Sequence, residues 1–172
     1  MSHWAKTSAK IVSLNEANSI STEWKARGEQ IVFSNGCFDI LHQGHVVYLS
    51  KAADLGTKLI VGLNSDESVK RLAKGDDRPI NDEHARALVL AALHCVDLVV
   101  QFNEDTPLSL IQSLNPTILV KGADYDSEEL NPLSKKYIVG SKEVRASGGR
   151  ICTIPLEEGF STTNILNKVN KN

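Results

Sequence analysis

The run Ile31-Val32-Phe33-Ser34-Asn35-Gly36-Cys37-Phe38-Asp39-Ile40-Leu41-His42-Gln43-Gly44-His45 decides the fold of this chain. It opens on three bulky apolar residues in a row, which suits a strand buried on both faces of a parallel sheet. Asn35-Gly36 alone would mark a hairpin. The residues after it have helical spacing instead, with Val47, Leu49, Ala52 and Ala53 leading to Gly56, a C-terminal stop. A strand–turn–helix unit is therefore expected, in which Gly36 lets the backbone turn tightly and Gly44 lets it come close to a ligand. His42 and His45 sit three residues apart at the start of the helix. There they can address one anion together with the unsatisfied N–H groups of the helix N-terminus. Imidazoles donate hydrogen bonds and can carry charge as charge builds on a phosphate. Two histidines alone also fit a core pair or half of a metal site. No third ligand lies at close spacing, so no metal-binding residues are expected.

Working outward, short apolar runs recur at Leu59-Ile60-Val61, Leu98-Val99-Val100, Ile118-Leu119-Val120 and Ile151-Cys152-Thr153-Ile154. Helical patterns separate them: residues 44–55, residues 82–94, and a helix opened by Asp105-Thr106-Pro107 with Pro107 in its first turn. The alternation predicts an α/β, Rossmann-like, doubly wound fold: a mainly parallel, five-stranded sheet with helices on both faces. Loops at the carboxyl ends of the strands then form the binding site. Residues 15–27 read as a helix with Ile20 and Trp24 on one face, so residues 1–28 are expected to be an N-terminal helical extension to one domain over 29–172. Residues 122–137 are irregular and read as a long loop, a lid or a subunit contact.

Composition narrows the function. A net charge of -2 on 172 residues speaks against a broad nucleic-acid surface. No apolar run approaches the roughly 20 residues that cross a bilayer, and Met1 to Lys10 lack the apolar core of a secretory signal. Cys37, Cys95 and Cys152 are odd in number and far apart, which argues against a disulfide framework or a zinc knuckle. A reducing compartment, the cytoplasm, is the expectation.

Residues 35–45, NGCFDILHQGH, resemble the signature of the cytidylyltransferase-like family of nucleotidyltransferases: a small-residue turn, Phe-Asp, then His-x-Gly-His. Gly159-Phe160-Ser161-Thr162-Thr163-Asn164-Ile165 is similar to that family's Gly-x-Ser-Thr-Thr-x-Ile element. By themselves these hydroxyls either cap a helix or bind phosphate. Residues 64–80, NSDESVKRLAKGDDRPI, then 96–107, VDLVVQFNEDTP, and 119–125, LVKGADY, resemble the adenylyltransferase subgroup that makes ADP-activated heptose, in its free-standing form. One departure is Leu156, where relatives specific for glycerol phosphate carry an arginine.

The resemblance implies transfer of AMP from ATP to a sugar 1-phosphate, D-glycero-β-D-manno-heptose 1-phosphate, with Mg²⁺ bridging phosphate oxygens, in a homodimer. The alternatives are a CTP-dependent transferase making a CDP-alcohol or CDP-sugar, and a non-catalytic nucleotide-binding module. It implies His42, His45 and Lys74 as catalytic. Nucleotide contacts fall to Asn35, Gly36, Cys37, Phe38, Asp39, Gly44, Asn64, Asp66, Arg78, Lys121, Gly122, Asp124, Ser161, Thr162 and Thr163. Asp39 either orients the loop or a metal-bound water, or is structural. Lys70 and Arg71 fit a solvated helix face as well as a site. Arg86 is read as structural, pairing with Asp82 or Glu83.

Overall fold

The computed structural model describes residues 1–72 and 78–169. In chain order the elements are α1 (His3–Ser8), β1 (Ile11–Val12), α2 (Leu14–Ala26), β2 (Ile31–Gly36), α3 (Gln43–Ala53), β3 (Lys58–Asn64), α4 (Asp66–Arg71), α5 (Glu83–Ala91), β4 (Leu98–Phe102), α6 (Leu108–Leu114), β5 (Ile118–Gly122), α7 (Ser141–Ala146), β6 (Arg150–Ile154) and α8 (Thr162–Val169). The strands form one sheet in the order β1-β4-β3-β2-β5-β6. Every strand pair is parallel.

The sheet has six strands among the described residues, not five, and no antiparallel member. The strand missed in the sequence is β1, whose two residues pair with Val99 and Val100. Two residues carry no periodicity, so only the tertiary pairing reveals it. α2 opens on a capping box: Ser13 Oγ accepts from Glu16 N at 3.3 Å, and Glu16 Oε2 accepts from Ser13 N at 2.8 Å. It packs Ala17, Ile20 and Trp24 toward the core.

The continuous apolar runs are explained by burial on both faces. Along β2, Val32 faces the layer containing Leu49 and Ala52 of α3 and Leu90 of α5. Ile31 and Phe33 face the opposite layer, with Leu110, Ile111 and Leu114 of α6 and Val144 of α7. Side chains alternate as in any strand, yet no position meets water, so no polar residue interrupts the run.

The chain places β3 and then β4 on one side of β2, and then β5 and β6 on the other. The winding therefore reverses between β2 and β5, where a doubly wound sheet opens its ligand crevice. The pairing shows that opening. β2 is in register with β5 only at Val32–Ile118 and Phe33–Leu119, whereas it stays with β3 through Gly36. Past Phe33 the two strands part, and Lys121 Nζ spans the gap to Asn35 Oδ1 at 2.6 Å.

Candidate active site

The carboxyl ends of β2, β3, β4, β5 and β6 surround one cavity of about 520 Å³. Its floor is the loop from β2 into α3: Asn35, Gly36, Cys37, Phe38, Asp39, His42, Gly44 and His45 all line it. His42 is the N-cap of α3 and makes no side-chain capping bond. The amides of His45 and Val46 already donate to His42 O, at 2.9 and 3.2 Å. The amides of Gln43 and Gly44 remain at the mouth of the helix, where its dipole is positive.

The two imidazoles stack, with ring centroids 3.8 Å apart and an interplanar angle of 22°. Phe38 meets His45 edge-on at 5.2 Å. Burial pushes the pKa of His42 below its ordinary value, which disfavours the charged ring. His42 Nδ1 is buried without a hydrogen-bond partner among the described residues. Gly44 makes this packing possible: a β-carbon there would lie 3.1 Å from the His42 ring and 3.2 Å from Phe160 Cβ. The left-handed residue of the turn is Phe38, at φ 45°, and not Gly36. The absence of a side chain at Gly36 instead makes room for the Phe38 ring, 3.1 Å from where a β-carbon would stand.

On one flank, after β5 and β6, stand Lys121, Gly122, Asp124, Ser161 and Thr162. Ser161 Oγ accepts from Asn164 N at 3.0 Å, so it caps α8 while lining the cavity. Tyr125, Tyr137, Leu156 and Phe160 give this flank an apolar wall that sequence patterning did not single out for the site. Leu156 occupies the position of the arginine noted above.

On the other flank, after β3 and β4, stand Asn64, Leu72, Arg78, Asp105, Thr106 and Pro107. Asp105, Thr106 and Pro107 are a helix start by sequence pattern and close the stretch 96–107, but no site role attaches to them there. α6 begins at Leu108 with Pro107 as its N-cap, leaving this tripeptide on the cavity wall. The rule that sites form at strand carboxyl ends, applied to the run at 98–100, was the signal for them.

Asp39 is buried, and both its oxygens are occupied. Arg78 Nε donates to Oδ2, and the amides of Ile80 and Asn81 donate to Oδ1 at 2.8 and 3.1 Å. Arg86 is buried as well. It donates to Asn81 O at 3.0 Å, Cys37 O at 2.7 Å, Asn64 O at 2.8 Å and Asp66 Oδ1 at 2.6 Å. Its acidic partner is thus Asp66, not Asp82 or Glu83. Asp82 caps α5 through Ala85 N, and Glu83 accepts from Asp66 N.

The structure does not bring every named residue to the cavity. Asp66 sits behind it on Arg86, and Thr163 is exposed beyond it on α8. Lys74 lies outside the described residues. Lys70 pairs with Glu67 on an exposed helix face, while Arg71 holds Asp105 at 2.6 Å and Asn103 O. The 122–137 loop closes through Asp126 N to Lys136 O at 3.0 Å, which sets Tyr125 and Tyr137 at its stem.

A family model described as cytidylyltransferase-like matches residues 33–168. The bifunctional protein HldE of Geobacter metallireducens is 52% identical over 94% of this chain and 31% of its own length. That of Actinobacillus pleuropneumoniae is 51% identical over 97% of this chain and 33% of its own. The chain thus spans about a third of the length of these curated relatives. Among solved structures, the lipopolysaccharide core biosynthesis protein of Thermoplasma volcanium is 25% identical, with a TM-score of 0.57 over 76% of this chain and 98% of that one. The pantoate–β-alanine ligase of Francisella tularensis, 15% identical, shares the fold with a TM-score of 0.59 over 94% of this chain and 78% of its own.

Proposed function

The chain belongs to the cytidylyltransferase-like family of nucleotidyltransferases, and from that premise we propose that it transfers AMP from ATP to a sugar 1-phosphate, D-glycero-β-D-manno-heptose 1-phosphate, releasing pyrophosphate and ADP-heptose. The heptose reading is supported by half-identity to the HldE proteins and by likeness to a lipopolysaccharide core biosynthesis protein. The observation that carries the reaction class is the stacked His42–His45 pair at the mouth of α3, facing Ser161 and Thr162 across one cavity.

The sugar phosphate is ionised at neutral pH and needs no general base to attack the α-phosphorus. The chain's contribution is alignment and charge stabilisation. His42 and His45, with the Gln43 and Gly44 amides, hold oxygens of the α- and β-phosphates and stabilise the leaving pyrophosphate. The hydroxyl of Thr162 and the N-terminus of α8 take the outer phosphates. Lys121 and Asp124, beside the Tyr125 and Leu156 wall, face base and ribose.

Among the described residues no three His, Cys, Asp or Glu side chains converge to hold a cation. The Asp39 carboxylate is fully engaged, so it does not fit a metal ligand. In this reading Mg²⁺ would be bound through the triphosphate rather than by protein side chains and would supply charge neutralisation. No described helix is long and apolar enough to cross a membrane. A cytoplasmic homodimer completes the reading.

The test is pyrophosphate release from ATP and from CTP against a panel of sugar 1-phosphates that includes both heptose anomers. ATP-dependent release with the β-anomer is expected, and it should fall about a hundred- to a thousandfold in His45→Ala. Release with CTP alone, or near-normal release by a folded His45→Ala chain, would sink the proposal.

A further inference from the structure

The buried run of β2 ends on a residue that the run itself does not call for. Ile31, Val32 and Phe33 are apolar and fully buried, and Ser34 follows them at 0% exposure, with a hydroxyl where a valine would bury more apolar surface. Its side chain shares the α3 face of the sheet with Val32, two positions earlier. There Ser34 Oγ meets the Tyr48 hydroxyl at 2.8 Å, across 14 residues of chain. Tyr48 is 8% exposed and lies in α3, three residues after His45. That spacing puts it about one turn below the histidine, on the same side of the helix.

This hydrogen bond joins the two ends of the histidine loop. On the β2 side it acts where the sheet loosens: β2 pairs with β5 at Val32 and Phe33, and Ser34 is the first residue beyond them. On the α3 side it acts on the turn that follows His45, in a helix whose N-cap His42 makes no side-chain capping bond. Burial pushes the Tyr48 pKa up to about 12, so the phenol stays a neutral hydrogen-bonding group throughout the range in which imidazoles titrate. A buried hydroxyl pair is an indifferent source of stability, because apolar groups of the same shape in place of both partners are nearly neutral. What it does fix is a distance and a rotation, since a hydrogen bond weakens steeply away from its preferred geometry.

We propose that Tyr48 and Ser34 are positioning residues for the transfer: their hydrogen bond sets the height and rotation at which α3 presents His42 and His45 to the α- and β-phosphates. Neither hydroxyl touches a substrate. Tyr48 borders the cavity, but its hydroxyl is taken by Ser34, which is wholly buried. Misplacing a catalytic group by about 1 Å costs about a hundredfold in rate, so release of α3 by part of an ångström should cost about tenfold. The inference rests on the transfer reaction proposed above.

Melting temperature and turnover, measured together on two single variants and their double, test it. Tyr48→Phe and Ser34→Ala should each lower kcat about tenfold, with the KM for ATP within about twofold of wild type. Each leaves one buried hydroxyl without its partner and should also melt lower. In Tyr48→Phe/Ser34→Ala both hydroxyls are gone: the melting temperature should recover toward wild type, while kcat stays at the level of a single variant. Ser34→Thr keeps a hydroxyl and should recover most of the rate lost in Ser34→Ala. A rate that returns with stability in the double variant overturns the proposal. So does a rise in KM with kcat unchanged, which would make Tyr48 a substrate contact. A further measurement needs no turnover: both single variants should shift the His42 and His45 ring signals in carbon–proton NMR spectra in the same sense, and unshifted signals overturn the clamp. A wild-type chain that releases no pyrophosphate with any sugar 1-phosphate overturns the reaction, and the ring signals then decide the clamp alone.

Discussion

Replacing Arg86 with Met should cost about 4 kcal/mol of folding stability, because the guanidinium ties three separate loops together from a site that water does not reach. Its side chain is 0% exposed, and its four hydrogen bonds run to Asn81 O, Cys37 O, Asn64 O and Asp66 Oδ1. Methionine fills a similar length, so the loss is polar rather than a cavity. Breaking a buried ion pair costs about 3–5 kcal/mol when the partner is left uncompensated. Asp66 is 27% exposed and recovers some hydration, which lowers that part. Carbonyls left without a donor add about 1 kcal/mol or more each, unless water enters.

For a domain of this length 1 kcal/mol corresponds to about 2–4 °C, so the midpoint should fall by about 8–16 °C. Thermal and urea melts followed by circular dichroism read it directly. Arg86→Lys retains the charge but has a single nitrogen for four acceptors, and should fall between the two. The double variant Arg86→Met/Asp66→Leu should regain the ionic part and not the carbonyl part. A midpoint for Arg86→Met within about 3 °C of wild type would refute the argument, since it would mean the three loops hold without their shared donor.

Gly44→Ala should change stability little, because a helix gain of up to about 1 kcal/mol is set against crowding of the His42 ring and Phe160 Cβ. Nucleotide transfer should nevertheless fall at least about tenfold as the new methyl displaces the His42 ring, and equal activity would show that the stack is not needed. Ser161→Ala should destabilise by about 0.5–2 kcal/mol through loss of the α8 cap, whereas Thr162→Val should weaken ATP binding with little change in melting; calorimetry on both separates the roles. For His42 the folded pKa lies below the unfolded one, so the unfolded chain binds more protons. Stability is then full above pH 6.5, the unfolded value, and is lost as pH falls from there to the lower folded value. His42→Gln should lose less melting temperature than wild type between pH 7.5 and pH 5 in roughly that window, and an identical loss would refute the assignment.

The parallel α/β architecture was legible because burial on both faces leaves an unmistakable trace: runs such as Leu59-Ile60-Val61 with no polar interruption, spaced by helical segments. The histidine loop was legible because its residues are contiguous, so His42, Gly44 and His45 share a turn whatever the rest of the chain does. β1 was not, since two residues owe their strand conformation to Val99 and Val100 opposite them. Nor was the partner of Arg86: sequence proximity suggested Asp82 or Glu83, but their side chains go to a helix cap and to Asp66 N.

The histidine loop and the fold around it thus follow from local order along the chain, because neighbours in sequence remain neighbours in space within one turn. The division of the cavity does not. That Arg78 stands on Asp39, that Asp105 and Thr106 share a wall with Asn64, and that Leu156 faces the opposite side all depend on which strands lie beside β2. A winding reversal sets that order, and it brings residues 39 to 41 positions apart in sequence to one edge of the sheet.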